Sequence, residues 1–232
     1  MKRLFLLFAV LPLFSCAARI NGSIAADGSG LFSVNMQMEP QITALFGRLS
    51  AAMGASETGG LILDGSAIAE SMSNAPGISH VSFKNTAPAA IEGQVRISNI
   101  GEFLAAGGRG FISFRQAPNG GSFALNINRQ NGPQVLELLS PEISGFLEMF
   151  MAPLVTGENL TRAEYLEEIA AFYSKPISNE IAASRIRVTI DFPGQIAAVK
   201  GGTFSGKRAD FNIPLLDLLV LETPISCEVT WK

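Results

Sequence analysis

Residues 31–39 read Leu31-Phe32-Ser33-Val34-Asn35-Met36-Gln37-Met38-Glu39, and their strict alternation decides the fold class. Phe32, Val34, Met36 and Met38 fall on one face of a strand, and Ser33, Asn35 and Gln37 on the other. A strand with one apolar and one polar face belongs to an antiparallel sheet that buries one side. Just upstream, Asp27-Gly28-Ser29-Gly30 signals a turn, because glycine reaches positive φ at no steric cost. Residues 19–26 supply the partner strand, so the fold opens with a hairpin.

The same alternation recurs downstream. Residues 78–84 carry Val81 and Phe83, and residues 90–98 set Ile91, Gly93, Val95 and Ile97 against Glu92, Gln94 and Arg96. Residues 111–115 and 122–128 flank Pro118-Asn119-Gly120-Gly121, a second hairpin signal. Residues 185–192 alternate Ile186, Val188, Ile190 and Phe192 with Arg187, Thr189 and Asp191. Residues 195–200 run between Pro193-Gly194 and Gly201-Gly202, residues 211–213 read as a short strand, and Ile225, Cys227, Val229 and Trp231 share one side of the last.

Helical spacing appears between these runs. Pro40 suits a first turn, and Ile42, Leu45, Phe46, Leu49 and Met53 follow at helical intervals before Gly54. A short helix fits around Ile68 and Met72, and another over residues 133–139. Ser140-Pro141-Glu142 opens a further one, with Ile143, Phe146, Leu147, Phe150 and Met151 on one stripe. Thr161-Arg162-Ala163-Glu164 has the form of a capping box, starting a helix that buries Tyr165, Leu166, Ile169 and Tyr173. Strands, then helices, then strands predict an α+β fold: an antiparallel sheet built from hairpins, with amphipathic helices covering one face.

The first sixteen residues carry an address. Lys2 and Arg3 precede an apolar run over residues 4–14, too short to cross a bilayer and suited to a secretory h-region. Leu13-Phe14-Ser15-Cys16 then resembles the lipobox of bacterial lipoproteins, most closely the relaxed form found in spirochaetes, although Phe14 is bulkier than the usual occupant. The resemblance implies cleavage after residue 15 and a lipid of the palmitate type on Cys16, placing the protein on the cell membrane or outer membrane, outside the cytoplasm. The expected organisation is a signal peptide over 1–15 and a single α+β envelope domain over 16–232.

Charge and cysteine content narrow the function. The chain has 17 basic and 20 acidic side chains, and loss of Lys2 and Arg3 with the leader makes the remainder more acidic. That balance argues against a nucleic-acid partner. Of two cysteines, one is assigned to lipid, so Cys227 has no disulfide partner and reads as a small buried hydrophobe. Gly201-Gly202-Thr203-Phe204-Ser205-Gly206-Lys207 matches the start of a phosphate loop, but Arg208 stands where Ser or Thr should follow, and no helix pattern comes next. A glycine-rich hairpin is the better reading. His80 is the only histidine, and the flanking Ser79 and the nearby Ser82 form no nucleophile elbow around it. The glutamates at 164, 167 and 168 read as a solvated helix face. No metal, cofactor or enzymatic role is expected.

A second resemblance rests on the strand after Cys16, the Asp27-Gly28-Ser29-Gly30 turn and the late Pro193-Gly194 and Gly201-Gly202 turns. Together they look like the LppM-type lipoprotein family, which is associated with a fold similar to tubular lipid-binding domains. That resemblance implies an apolar ligand such as lipid. The chain departs from the family by ending at Trp231-Lys232 without a C-terminal membrane helix. The candidate ligand lining is Phe146, Phe150, Met151, Leu215 and Leu218, from two stretches, 143–155 and 214–221, rich in Leu, Phe and Met, whereas Phe46 reads as ordinary core. The leading expectation is therefore binding or shuttling of an apolar molecule. The alternative is a docking or structural module that meets another envelope protein.

Overall fold

The computed structural model describes residues 18–52, 62–107, 110–132, 148, 150 and 152–232. The opening hairpin forms as expected, from β1 (Ala18–Ile24) and β2 (Gly30–Gln37), in continuous antiparallel register from Ala18↔Met36 to Ile24↔Gly30. Gly28 takes φ 83°, and Asp27 accepts from the Ser29 amide and hydroxyl at 2.9 and 2.7 Å. Those bonds hold the Asp27 carboxyl below its ordinary pKa, the hydroxyl contributing most.

After α1 (Pro40–Ala52) and α2 (Gly65–Ser73) come β3 (Ile78–Ala87), β4 (Ala90–Ile97) and α3 (Ile100–Gly107). The second hairpin is β5 (Ile112–Ala117) with β6 (Gly120–Ile127). Then follow α4 (Pro153–Thr156), α5 (Arg162–Phe172) and α6 (Lys175–Ala183). The chain closes with β7 (Arg185–Asp191), β8 (Ile196–Lys200), β9 (Thr203–Ser205), β10 (Arg208–Pro214), α7 (Leu215–Val220) and β11 (Ile225–Trp231). The helices anticipated over 133–139 and 140–151 lie outside the described residues, apart from positions 148 and 150.

The α+β class holds, with two sheets rather than one. Seven strands order as β3-β4-β2-β1-β7-β10-β9, and four as β5-β6-β11-β8; neither closes into a barrel. Every pairing is antiparallel except β1 with β7. The inner face of the large sheet meets the small sheet in one core, where Ile190 and Phe211 join Val229 and Trp231. Trp231 stacks on Phe114 at 5.9 Å and tilts against Phe192 at 5.0 Å. A second core lies among α1, α5, α6 and α7, with Ile42, Phe46, Tyr165, Ile169, Ile177, Ile181, Leu216 and Leu219 buried. Glu180 of α6 ties this helical layer together by accepting from the Gln41 and Ile42 amides, 3.0 Å each, at the open start of α1. The Thr161–Glu164 capping box is present in both directions. No helix of the described residues is long and apolar enough to cross a membrane.

Candidate functional site

The polar residues of the large sheet line up across the strands because directly paired residues point the same way. Ser82, Gln94, Ser33, Asn21, Thr189, Asp210 and Thr203 form a continuous row from one edge of the sheet to the other. On one side of it run Lys84, Glu92, Asn35, Arg19, Arg187 and Asn212; on the other run His80, Arg96, Leu31, Ser23, Asp191, Arg208 and Ser205. Alternation puts the rings on the opposite face, where glycines make room for them. A Cβ on Gly22 would stand 2.4 Å from the Phe32 ring, and one on Gly93 2.4 Å from the Phe83 ring.

The sheet leaves two open grooves on this face. One, of about 530 Å³, lies over β3, β4, β2 and β1 and includes Asn21, Ser33, Asn35, Ser82, Lys84, Glu92 and Gln94 in its lining. The other, of about 450 Å³, lies over β7, β10 and β9 and includes Arg187, Thr189, Thr203, Asp210 and Asn212. Hydrogen bonds fix several lining groups. Lys84 pairs with Glu92 at 2.8 Å, which raises the ammonium pKa chiefly through that hydrogen bond. The Ser33 hydroxyl donates to the Asn21 carbonyl at 3.3 Å, and Thr189 donates to Asp210 at 2.7 Å. Beyond the grooves, at the border of the face, Arg208 grips Asp191 through two nitrogens, at 3.0 and 3.1 Å. Chemically this face offers amides, hydroxyls and the Asp210 carboxylate at its centre and mixed charges at its borders, where cations outnumber anions.

The candidate apolar lining is placed differently. Cys16, Phe146 and Met151 lie outside the described residues. Phe150 is 7% exposed and makes edge contacts with Phe46 at 5.8 Å and Tyr173 at 5.5 Å, so it shares one core with the residue read as ordinary packing. The Tyr165 hydroxyl donates to the Phe150 carbonyl at 3.1 Å, and burial raises the Tyr165 pKa. Leu215 packs on that same core, while Leu218 packs on a separate cluster with Leu154 and Leu221. A cleft near these helices, lined by Arg129, Leu154, Val220 and Leu221 among others, measures about 50 Å³. Ligand pockets start at roughly 300 Å³.

The remaining singled-out residues take structural places. Residues 201–207 form the turns at either end of β9, with Gly201 and Gly206 at positive φ and the Lys207 ammonium donating to the Pro193 carbonyl. His80 is exposed on β3, and the Ser79 hydroxyl donates to the Arg96 carbonyl. Sequence alternation had named the polar members of β2, β4 and β7. What it lacked was the parallel β1–β7 pairing that joins them into one face, and its only signal was the shared period.

These features define an α+β protein of two packed, mainly antiparallel sheets with a helical layer and an open polar sheet face. Among solved structures, the chain is similar to the folded domain of the LppM protein of Mycobacterium tuberculosis, determined by NMR, with 10% identity and a TM-score of 0.39 over 100% of this chain and 95% of that one. Likeness at that level assigns neither fold nor function. No protein-family profile matches the chain, and no curated protein does.

Proposed function

We propose that the chain is a non-enzymatic, lipid-anchored protein of the bacterial cell envelope that docks a partner protein on the polar face of its seven-stranded sheet. The leader and Cys16 support the location. The polar face supports the docking: rows of uncharged and charged side chains run across all seven strands over two open grooves. Six strand spacings of ~4.8 Å and a strand length of ~20 Å give a flat footprint of roughly 600 Å². A standard interface buries about 800 Å² per partner, so this face suits a compact or transient complex. The partner that fits is a polar protein surface with a mildly acidic border. Arg19, Arg96, Arg187, Arg208 and Lys84 outnumber Glu92, Asp191 and Asp210 on this face, and complementary charge sets orientation and encounter rate.

Site-specific photocrosslinking in living cells tests this reading. A crosslinking residue at Gln94 should give a defined protein adduct, and one at the exposed Ala197 of the small sheet should not. Reversing charge with Arg96→Glu should reduce the Gln94 adduct several-fold while the protein remains folded. Adducts from Ala197 alone, or none from either position, would overturn the docking surface. Copurifying lipid that is lost on shortening Leu215 would return the apolar-ligand reading to the lead.

A further inference from the structure

We infer that one end of the large sheet stands on the membrane, namely the rim formed by the C-terminal end of β2, the start of α1 and the β3–β4 turn. The inference rests on the lipid-anchor reading of Cys16 and adds the orientation of the domain. Ala18 is the first residue of β1 and is 7% exposed, already fixed between β2 and β7 through its register with Met36 and Ile186. Cys16 precedes it by two residues, and two residues span at most about 7 Å. An acyl chain on Cys16 therefore cannot enter a bilayer unless the Ala18 end of the sheet comes close to the headgroups.

Register identifies what shares that end. Ala18 is level with Met36, Ile91 and Ile186, and one residue farther out lie Gln37, Ala87, Ala90 and Arg185. Among the described residues, Gln37, Pro40, Gln41, Thr86, Ala87 and Pro88 are exposed and uncharged at that end, whereas Glu39, Glu180 and Arg185 carry its charge and are half-buried, Glu180 accepting from the Gln41 and Ile42 amides and Arg185 donating to the Ala182 and Ser184 carbonyls. At the opposite end, the β1–β2 turn lies one strand length away, roughly 20 Å at ~3.3 Å per residue. The small sheet covers most of the inner side of the large one, and α2 packs on Met36 and Ile91 through Ile68, so a two-residue tether has no way to pass beneath. Standing on this rim leaves the polar face projecting sideways into the space beyond the membrane, open to a partner. Lying on the polar face would cover it.

The test uses the full chain, expressed with its leader, purified with its lipid and reconstituted in phosphatidylethanolamine–phosphatidylglycerol vesicles containing nickel-chelating lipid. Nitroxides are attached at Thr86→Cys on the rim or Ala26→Cys at the far turn, with Cys227 left in its buried site and the unsubstituted protein as background. Relaxation of the nitroxide by headgroup nickel should be at least five-fold stronger at position 86 than at 26. Gln37→Cys and Ser205→Cys repeat the comparison if either first variant misfolds. Equal relaxation at both ends, in protein whose mass confirms acylation, overturns the orientation and places the polar face flat on lipid. Protein that emerges without an acyl mass overturns the anchor itself, and the orientation with it.

Discussion

Asn21 of β1 and Ser33 of β2 stand directly opposite each other, and the Ser33 hydroxyl donates to the Asn21 carbonyl at 3.3 Å. The pair sits in the middle row of the polar face, in the lining of the 530 Å³ groove. An exposed polar pair contributes little to folding. Asn21→Ala and Ser33→Ala should therefore each change unfolding free energy by less than about 0.5 kcal/mol. On the docking account, the same variants weaken the crosslinked complex at Gln94. Denaturant titration beside adduct yield separates the two effects, and a large loss of stability with unchanged adduct would assign the pair to folding alone.

Two glycines should respond in opposite directions. A Cβ at Gly93 would lie 2.2 Å from the Ser82 carbonyl oxygen and 2.4 Å from the Phe83 ring, so Gly93→Val forces backbone to move. We expect a loss of at least about 2 kcal/mol. Gly47, inside α1, has nothing within 4 Å of an added Cβ. Gly47→Ala should stabilise by about 0.5–1 kcal/mol through helix propensity. Thermal melts of both variants check the pair.

Much of this was legible because alternation is a local signal. The period-two runs located β2, β4, β7 and β11 to within a residue or two, and the Thr161–Glu164 spacing located a helix start. Four helices, α3, α4, α6 and α7, escaped the reading. α3, α4 and α7 span eight residues or fewer, and α6 carries Pro176 in its first turn and ends directly against β7, so none shows enough turns to reveal a period. The division into two sheets also escaped it, because pairing partners far apart in sequence leave no local trace. Phe150 and Phe46 illustrate the limit at the level of single residues: the helical pattern puts each on an apolar stripe, but only the fold shows that the two rings touch.

That contact yields a prediction about the apolar stripes. Phe46→Ala and Phe150→Ala should each cost about 3–5 kcal/mol, since both rings are buried in one core. The double variant should lose less than the sum of the two, because each single change already removes the shared edge contact. Chemical denaturation of the three variants measures this. Strict additivity would mean that the rings do not pack together.

Cys227 is 3% exposed on β11, and burial pushes its thiol up to about 11. The unfolded thiol ionises first, near its ordinary value of 9.0, so above that pH the unfolded state binds fewer protons than the native one. Stability from this group is thus unaffected below about pH 9 and falls between 9 and 11, with a slope approaching ~1.4 kcal/mol per pH unit. Burial of Tyr165 adds to the fall in more alkaline solution. Cys227→Ala should flatten the decline between pH 9 and 10.5, as followed by denaturant titrations. A thiol reagent should modify the native protein at least a hundred-fold more slowly than the unfolded chain. Rapid native modification would place Cys227 on the outer side of β11.

The claim that the polar face is covered in the envelope is tested most directly by thiol footprinting at Gln94→Cys and Ala197→Cys. Each is compared between isolated membranes and detergent-purified protein. Both positions are exposed in the protein alone. The account predicts that Gln94→Cys reacts at least ten-fold more slowly in membranes than after purification, while Ala197→Cys reacts at the same rate in both. Equal rates for Gln94→Cys in the two preparations would contradict it.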